Sequence, residues 1–114
     1  MVNYDGLPVY KSSYDLLIII FELVKKFERE YKYTLGESIK TECIKLITLI
    51  YRANSSQEKR KIYLQEWRES LEVVKLYIRL CKDVKTIPLE KFVLIQIPLE
   101  STSKQLLAWG KSVS

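Results

Sequence analysis

Histidine is absent from the 114 residues of this chain. Histidine is the commonest general base and the commonest metal ligand in proteins, so its absence excludes Ser–His and Cys–His nucleophilic catalysis. It also excludes the Glu-x-x-His pairs that hold iron in ferritin-like bundles. We therefore expect a protein that is not an enzyme, binds no metal or other cofactor and has no small-molecule substrate.

Glycine, proline and cysteine are scarce, at three, three and two residues. Few turn residues argue against an all-β fold, and isolated glycines cannot form a phosphate-binding loop. Cys43 and Cys81 lie in no CxxC motif, and each falls on an apolar helical position. We expect both thiols to be buried and reduced.

Long hydrophobic runs are also lacking. The longest, residues 16–21, is followed by Glu22 and is far too short to cross a bilayer. The first residues carry neither the basic start nor the apolar stretch of a signal peptide. These absences predict a cytoplasmic protein without membrane contacts. Attachment through an amphipathic helix is a weaker alternative, because the apolar faces are needed for packing.

Helical spacing of apolar residues dominates what is present. It predicts four helices over residues 12–31, 34–54, 55–82 and 88–110. Ser12, Thr34 and Ser55 each precede an acidic residue by three positions, as in a capping box, and Pro88 suits a first helical turn. The short loops favour an all-α, antiparallel up-and-down four-helix bundle over residues 12–114. Residues 1–11, with Gly6 and Pro8, are expected to form an irregular arm.

The fourth predicted helix contains a conflict. Residues 92–97 have strong β-propensity, and Pro98 follows them. Proline inside a helix loses one hydrogen bond and clashes with the carbonyl four residues earlier, here that of Leu94. We therefore expect the fourth helix to kink or break near Pro98. A short strand is the alternative, although it would lack a partner.

The first predicted helix is apolar around almost its whole circumference. Its polar stripe consists only of Asp15, Glu22, Lys26 and Arg29. Such a helix needs cover on nearly all sides, whereas each helix of a monomeric bundle keeps one face in water. The pattern predicts a homo-oligomer in which this helix covers a subunit interface.

The net charge of +5 is uneven, since residues 55–87 hold eight basic and five acidic side chains. Basic residues recur there every seven positions, which aligns them along one helix face at steps of about 10 Å. Two more basic residues, Lys45 and Arg52, lie seven positions apart on the second predicted helix. A row of cations suits the phosphates of a nucleic acid. The candidate nucleic-acid-binding residues are Lys61, Arg68, Lys75, Arg79, Lys82, Lys45 and Arg52. The alternative is a solvated face in which Glu66, Glu69 and Glu72 pair with these cations.

Several short motifs occur in a distinctive order. They are Leu7-Pro8-Val9-Tyr10, Leu35-Gly36-Glu37-Ser38, Leu49-Ile50-Tyr51-Arg52-Ala53-Asn54, Tyr77-Ile78-Arg79-Leu80, and Ser101-Thr102-Ser103-Lys104-Gln105-Leu106 followed by Trp109. Over residues 7–112 the chain resembles the Avd proteins, the accessory variability determinants of diversity-generating retroelements. Pro98 departs from the uninterrupted fourth helix of that family.

The resemblance implies a basic four-helix bundle that assembles as a homopentamer and has no catalysis of its own. It further implies binding to the element's reverse transcriptase and to its structured template RNA, with DNA as a second candidate. The implied function is support of error-prone cDNA synthesis, which replaces a variable region in a target gene.

Two alternatives stay open. Proteins encoded in 23S rRNA intervening sequences are similar four-helix bundles, but their second helix continues from the asparagine as Ile-Ala-Glu-Gly. Here Asn54 is followed by Ser55-Ser56-Gln57-Glu58. The other alternative is an oligomeric scaffold that binds only protein.

Overall fold

The described part of the chain forms four long helices and one short one. The computed structural model describes residues 6–113, and no strand occurs in that stretch. The helices are α1 (Pro8–Lys25), α2 (Arg29–Lys32), α3 (Leu35–Ser55), α4 (Arg60–Asp83) and α5 (Leu89–Val113). They form a body of about 43 × 23 × 20 Å. The predicted all-α four-helix bundle is confirmed.

The long helices pack as a four-membered ring of neighbours. α1 packs against α3 and α5, and α4 also packs against α3 and α5. α1 and α4 therefore lie diagonally opposite each other. The helix α5 therefore forms one edge of the bundle with α4 and another with α1.

The core is built from apolar side chains at helical spacing. Each long helix contributes a buried row, and the row of α4 was predicted in full: Trp67, Leu71, Val74, Ile78 and Cys81. Cys43 and Cys81 are free, buried thiols, as expected. Burial raises the pKa of Cys43 to about 12, with a smaller contribution from the charge of Glu42.

The start of α1 corrects the sequence prediction. α1 begins at Pro8, not at Ser12, so residues 8–11 are helical rather than part of an irregular arm. Proline is well suited to a first helical position because the missing N–H has no partner there in any case. Val9 is fully buried and fixes this first turn to the core. Residues 1–5 of the expected arm, and residue 114, lie outside the described residues.

The end of the first predicted helix was also wrong. α1 stops at Lys25 and α2 is separate, because the chain turns to bury Phe27 against the core. α3 then approaches α1 closely at Gly36. A Cβ added there would lie 2.8 Å from Val24 Cγ1 and 3.3 Å from the Tyr31 carbonyl oxygen. Only glycine allows this approach without displacement.

The start of α4 differs as well. α3 ends at Ser55, close to the prediction, but α4 begins at Arg60 and not at Ser55. The Ser56 hydroxyl accepts a hydrogen bond from the Lys59 N–H at 3.2 Å. The Arg60 guanidinium donates to the carbonyl oxygen of Ala53 at 2.8 Å and to that of Asn54 at 3.3 Å. These bonds satisfy carbonyls at the end of α3 and hold residues 56–59 as a turn.

α5 runs through Pro98 without interruption and ends at Val113, three residues beyond Gly110. The expected break, and the alternative strand, are therefore wrong, whereas the kink stays a prediction. Ile95 and Leu99 are buried on either side of Pro98 and fix both halves of α5 to the same core. Thr102 also donates its hydroxyl hydrogen to the Pro98 carbonyl oxygen at 2.7 Å. Tertiary packing thus outweighs the unfavourable local sequence.

Candidate nucleic-acid interface

The five predicted cations of α4 lie on its flank toward α5. We call this row, Lys61, Arg68, Lys75, Arg79 and Lys82, the α4 stripe. At one end, Lys82 Nζ lies 4.7 Å from the ring centroid of Phe92 on α5. At the other end, Lys61 and Arg68 line a groove together with Leu107 and Lys111 of α5. The stripe therefore follows the α4–α5 edge of the bundle.

Most of the stripe is not neutralised by neighbouring carboxylates. Lys75 Nζ lies 3.3 Å from a Glu72 oxygen, and Lys82 Nζ lies 3.6 Å from an Asp83 oxygen. Lys61, Arg68 and Arg79 form no ion pair within residues 6–113, and all three are exposed.

Of the three glutamates named for the alternative of a charge-paired face, Glu72 alone pairs with the stripe within residues 6–113. Within the described part of the chain, Glu66 and Glu69 form no ion pair with the stripe. Glu69 instead accepts a hydrogen bond from the Gln65 side-chain amide at 3.4 Å. Unpaired cations on one flank retain their full attraction for an anionic partner.

Lys45 and Arg52 belong to a different surface. The Ser70 hydroxyl of α4 donates to the Glu42 carboxylate of α3 at 2.8 Å, which marks where the two helices meet. With about 100° of rotation per residue, Lys45 and Arg52 lie beside this contact on α3, whereas the stripe lies on the far flank of α4. The structure therefore does not bring all seven predicted residues together.

Sequence reasoning missed the contribution of α5 to the stripe's edge. The groove between α4 and α5 has a volume of about 490 Å³, and none of the described residues that line it is a carboxylate. Its lining consists of Lys61, Leu64, Gln65, Arg68, Leu107, Gly110 and Lys111. One signal could have found it, since Lys104 and Lys111 also stand seven residues apart. Lys104 pairs with Glu100 at 4.0 Å and is not among the residues that line the groove, whereas Lys111 is.

The α1–α5 edge is apolar instead of basic. Its groove, of about 370 Å³, is lined by Ile18, Ile19, Glu22, Leu23, Lys26, Lys91, Leu94, Ile95 and Pro98. The neighbouring turns of α5 expose Leu89, Val93 and Ile97, the last at 71%. We call Ile18, Ile19 and Leu94, together with Ile97 one turn further along α5, the α1–α5 apolar patch. Monomeric proteins rarely leave so many adjacent large apolar side chains in water.

Within residues 6–113, no group of three or more Cys, Asp or Glu side chains is placed to hold a metal ion. Both thiols have raised pKa values, chiefly because burial disfavours the thiolate. None of the helices described here combines the length and apolarity needed to span a bilayer.

Comparison with known proteins gives one informative result. A search of curated proteins found no match. A family model described as bAvd-like matches residues 9–113, from the first turn of α1 to the last residue of α5. The match covers all four long helices, the α4 stripe and the α1–α5 apolar patch, and it agrees with the resemblance of the short motifs. On this match, the chain belongs to the bAvd-like family.

Proposed function

We propose that this Avd-type protein is a non-catalytic accessory factor of a diversity-generating retroelement. It binds the element's reverse transcriptase and structured template RNA and so supports mutagenic cDNA synthesis. The observation that carries the RNA-binding part is the set of unpaired cations on the α4 stripe, Lys61, Arg68 and Arg79, on a bundle of the bAvd-like family.

The physical basis of RNA binding is phosphate neutralisation. Lys61 and Arg68 are two helical turns apart, about 10 Å along α4, so they contact different phosphates of one strand. Binding releases counterions from the RNA, which makes the affinity fall steeply with salt. DNA carries the same phosphates and is a second ligand of the stripe.

The α1–α5 apolar patch supports self-association. Covering it with further copies of this chain removes several large aliphatic side chains from water, at about 25 cal/mol for each Å² of apolar surface. The family resemblance implies a ring of five subunits. A closed ring joins two different surfaces of each subunit, and this proposal requires the α4–α5 edge, which carries the stripe, to remain available for RNA.

The stripe is tested by reversing its charge. In the triple variant Lys61→Glu, Arg68→Glu, Arg79→Glu, RNA binding should be lost at moderate salt while the oligomeric mass is unchanged. The matched control Lys11→Glu, Lys25→Glu, Lys104→Glu changes the net charge equally, but its cations each face a carboxylate of their own helix. The control should retain most of the RNA affinity. Equal loss in both variants would show a general charge effect and no site.

The reverse transcriptase is tested by co-purification with a tagged copy of this chain, with and without nuclease. Retention after nuclease treatment indicates a direct protein contact. A protein-only scaffold is the second candidate, because the α1–α5 apolar patch supports self-association without any nucleic acid. It is favoured if the oligomer binds the polymerase and ignores RNA at low salt.

A further inference from the structure

The groove between α4 and α5 has features that phosphate binding alone does not use. Its walls carry Lys61 and Arg68 from α4 and Lys111 from α5, and within residues 6–113 no carboxylate lines it, whereas Glu58 lines the adjoining groove toward Val113. Its floor is apolar, formed by Leu64, Leu107 and the backbone of Gly110. Leu107 is 47% exposed although it sits between two helices. A ligand that carries both negative charge and an apolar face would fit this site.

We propose that this groove binds an unpaired segment of a polynucleotide, with its phosphates on the cations and a base against Leu64 and Leu107. This inference rests on the proposed function and narrows it from RNA in general to single-stranded RNA or DNA at one site. Gln65 also lines the groove, and its side-chain amide can hydrogen-bond to a base edge in place of Glu69, to which it donates at 3.4 Å.

The form of the ligand follows from what each nucleic acid can present. In a duplex, base faces are stacked inside, so a duplex would contact the cations and leave Leu107 in water. An unpaired strand exposes base faces, and these stack on apolar and aromatic side chains with little dependence on sequence. An acidic peptide would match the charges, but it presents no flat base face to Leu64 and Leu107, and Glu58 lines the adjoining groove toward Val113.

Gly110 gives a charge-neutral test. A Cβ added there lies 3.8 Å from Leu64 Cδ1, an ordinary contact, so Gly110→Ala should fold normally. A leucine at the same position would extend into the groove and occupy the place of the base. Leu107→Gln removes half of the apolar floor without filling it. Ile44→Gln, at a similarly exposed apolar position on α3, is its matched control.

The experiment measures the affinity of the full chain for oligo(U), for oligo(dT) and for an RNA duplex of equal length, at one salt concentration. Wild type and Gly110→Ala should prefer the single strands. Gly110→Leu and Leu107→Gln should each weaken single-strand binding about fivefold or more and leave duplex binding unchanged, while Ile44→Gln binds as wild type. Circular dichroism and oligomeric mass show whether each variant is folded. If Gly110→Leu is not folded, the result for Leu107→Gln decides the test.

The failures of the two proposals are distinguishable. The groove proposal is overturned if Gly110→Leu and Leu107→Gln bind single strands as tightly as wild type while Arg68→Glu loses binding. RNA binding by the α4 stripe would still stand in that case. Equal affinity of the wild type for strand and duplex also overturns the groove. If poly-glutamate of equal charge displaces oligo(U) as well as unlabelled oligo(U) does, the groove is a site for acidic peptide instead. Unchanged RNA binding in Arg68→Glu and in the triple stripe variant overturns the proposed function itself.

Discussion

The Arg60 guanidinium closes the end of α3, with its Nε 2.8 Å from the carbonyl oxygen of Ala53. This one side chain joins two helices, because Arg60 is the first residue of α4 and Ala53 lies in the last turn of α3. The bond satisfies a carbonyl that the helix itself leaves without a partner.

Arg60→Ala is expected to destabilise the fold by about 2 kcal/mol, since a hydrogen bond from a charged donor contributes ~1.5–3 kcal/mol. Arg60→Lys should recover little, because an ammonium cannot reach both the Ala53 and the Asn54 oxygens with fixed geometry. Urea unfolding measures the change, with exposed Lys59→Ala as the control. A loss below about 0.5 kcal/mol for Arg60→Ala would contradict this assignment.

Gly36→Ala should destabilise the fold although alanine is the better helix former. The added methyl group meets Val24 Cγ1 at 2.8 Å and the Tyr31 carbonyl oxygen at 3.3 Å. Overpacking of this kind costs ~1–3 kcal/mol, which exceeds the gain of ~1 kcal/mol in helix propensity. Unfolding of the double variant with Val24→Ala should show coupling, since the second change removes the closest atom.

Gly110→Ala is the natural comparison for that experiment. Its added Cβ makes only an ordinary contact at 3.8 Å, so the variant should be as stable as wild type or more stable. Two glycines of one chain would then respond with opposite sign to the same substitution. Similar responses at both positions would show that the α1–α3 approach is not as close as described.

The stability of the fold should fall at alkaline pH through Cys43. Its pKa is raised from 9.0 to about 12, so between these values the unfolded chain loses the thiol proton and the folded chain keeps it. Below about pH 9 the thiol is protonated in both states and the contribution of Cys43 to the free energy of unfolding is constant. Above about pH 9 that free energy falls, by up to ~1.4 kcal/mol per pH unit. The difference between wild type and Cys43→Ala in urea unfolding at pH 8 and pH 10 isolates this effect from lysine and tyrosine titration. A pH-independent difference would contradict it.

Much of this fold was predictable from the sequence because the apolar periodicity of α3 and α4 is strong. The helix boundaries were less predictable, since they depend on contacts between distant residues. The start of α1 depends on burial of Val9, and the delayed start of α4 depends on Arg60 reaching Ala53. Proline inside a helix usually ends or kinks it, but α5 continues through Pro98 because Ile95 and Leu99 are buried on either side of it. The candidate site was likewise only partly predictable. The seven-residue spacing predicted the α4 stripe, whereas Lys111 and Leu107 lie beside it only because α5 packs on α4.

The salt dependence of RNA binding should distinguish paired from unpaired cations within the stripe. Arg68→Ala should reduce the slope of log affinity against log salt by about 0.7–0.9, the amount for one lost phosphate contact. Lys75→Ala should reduce it by less, because Glu72 already lies 3.3 Å from the Lys75 ammonium. Equal reductions would mean that Lys75 leaves Glu72 for the RNA.

The α1–α5 apolar patch is expected to form a contact between copies of this chain. Ile97→Lys places a charge on a residue that is 71% exposed in the isolated chain and lies within the patch. Folding of the subunit should be unaffected, but burying that charge against a second copy is costly unless it finds a partner there. Light scattering should therefore show the oligomer dissociating toward the 13.5 kDa chain. The control Tyr33→Lys, 65% exposed at the turn before α3, should retain the wild-type mass. An Ile97→Lys oligomer of unchanged mass would show that the patch is covered by something other than a second copy.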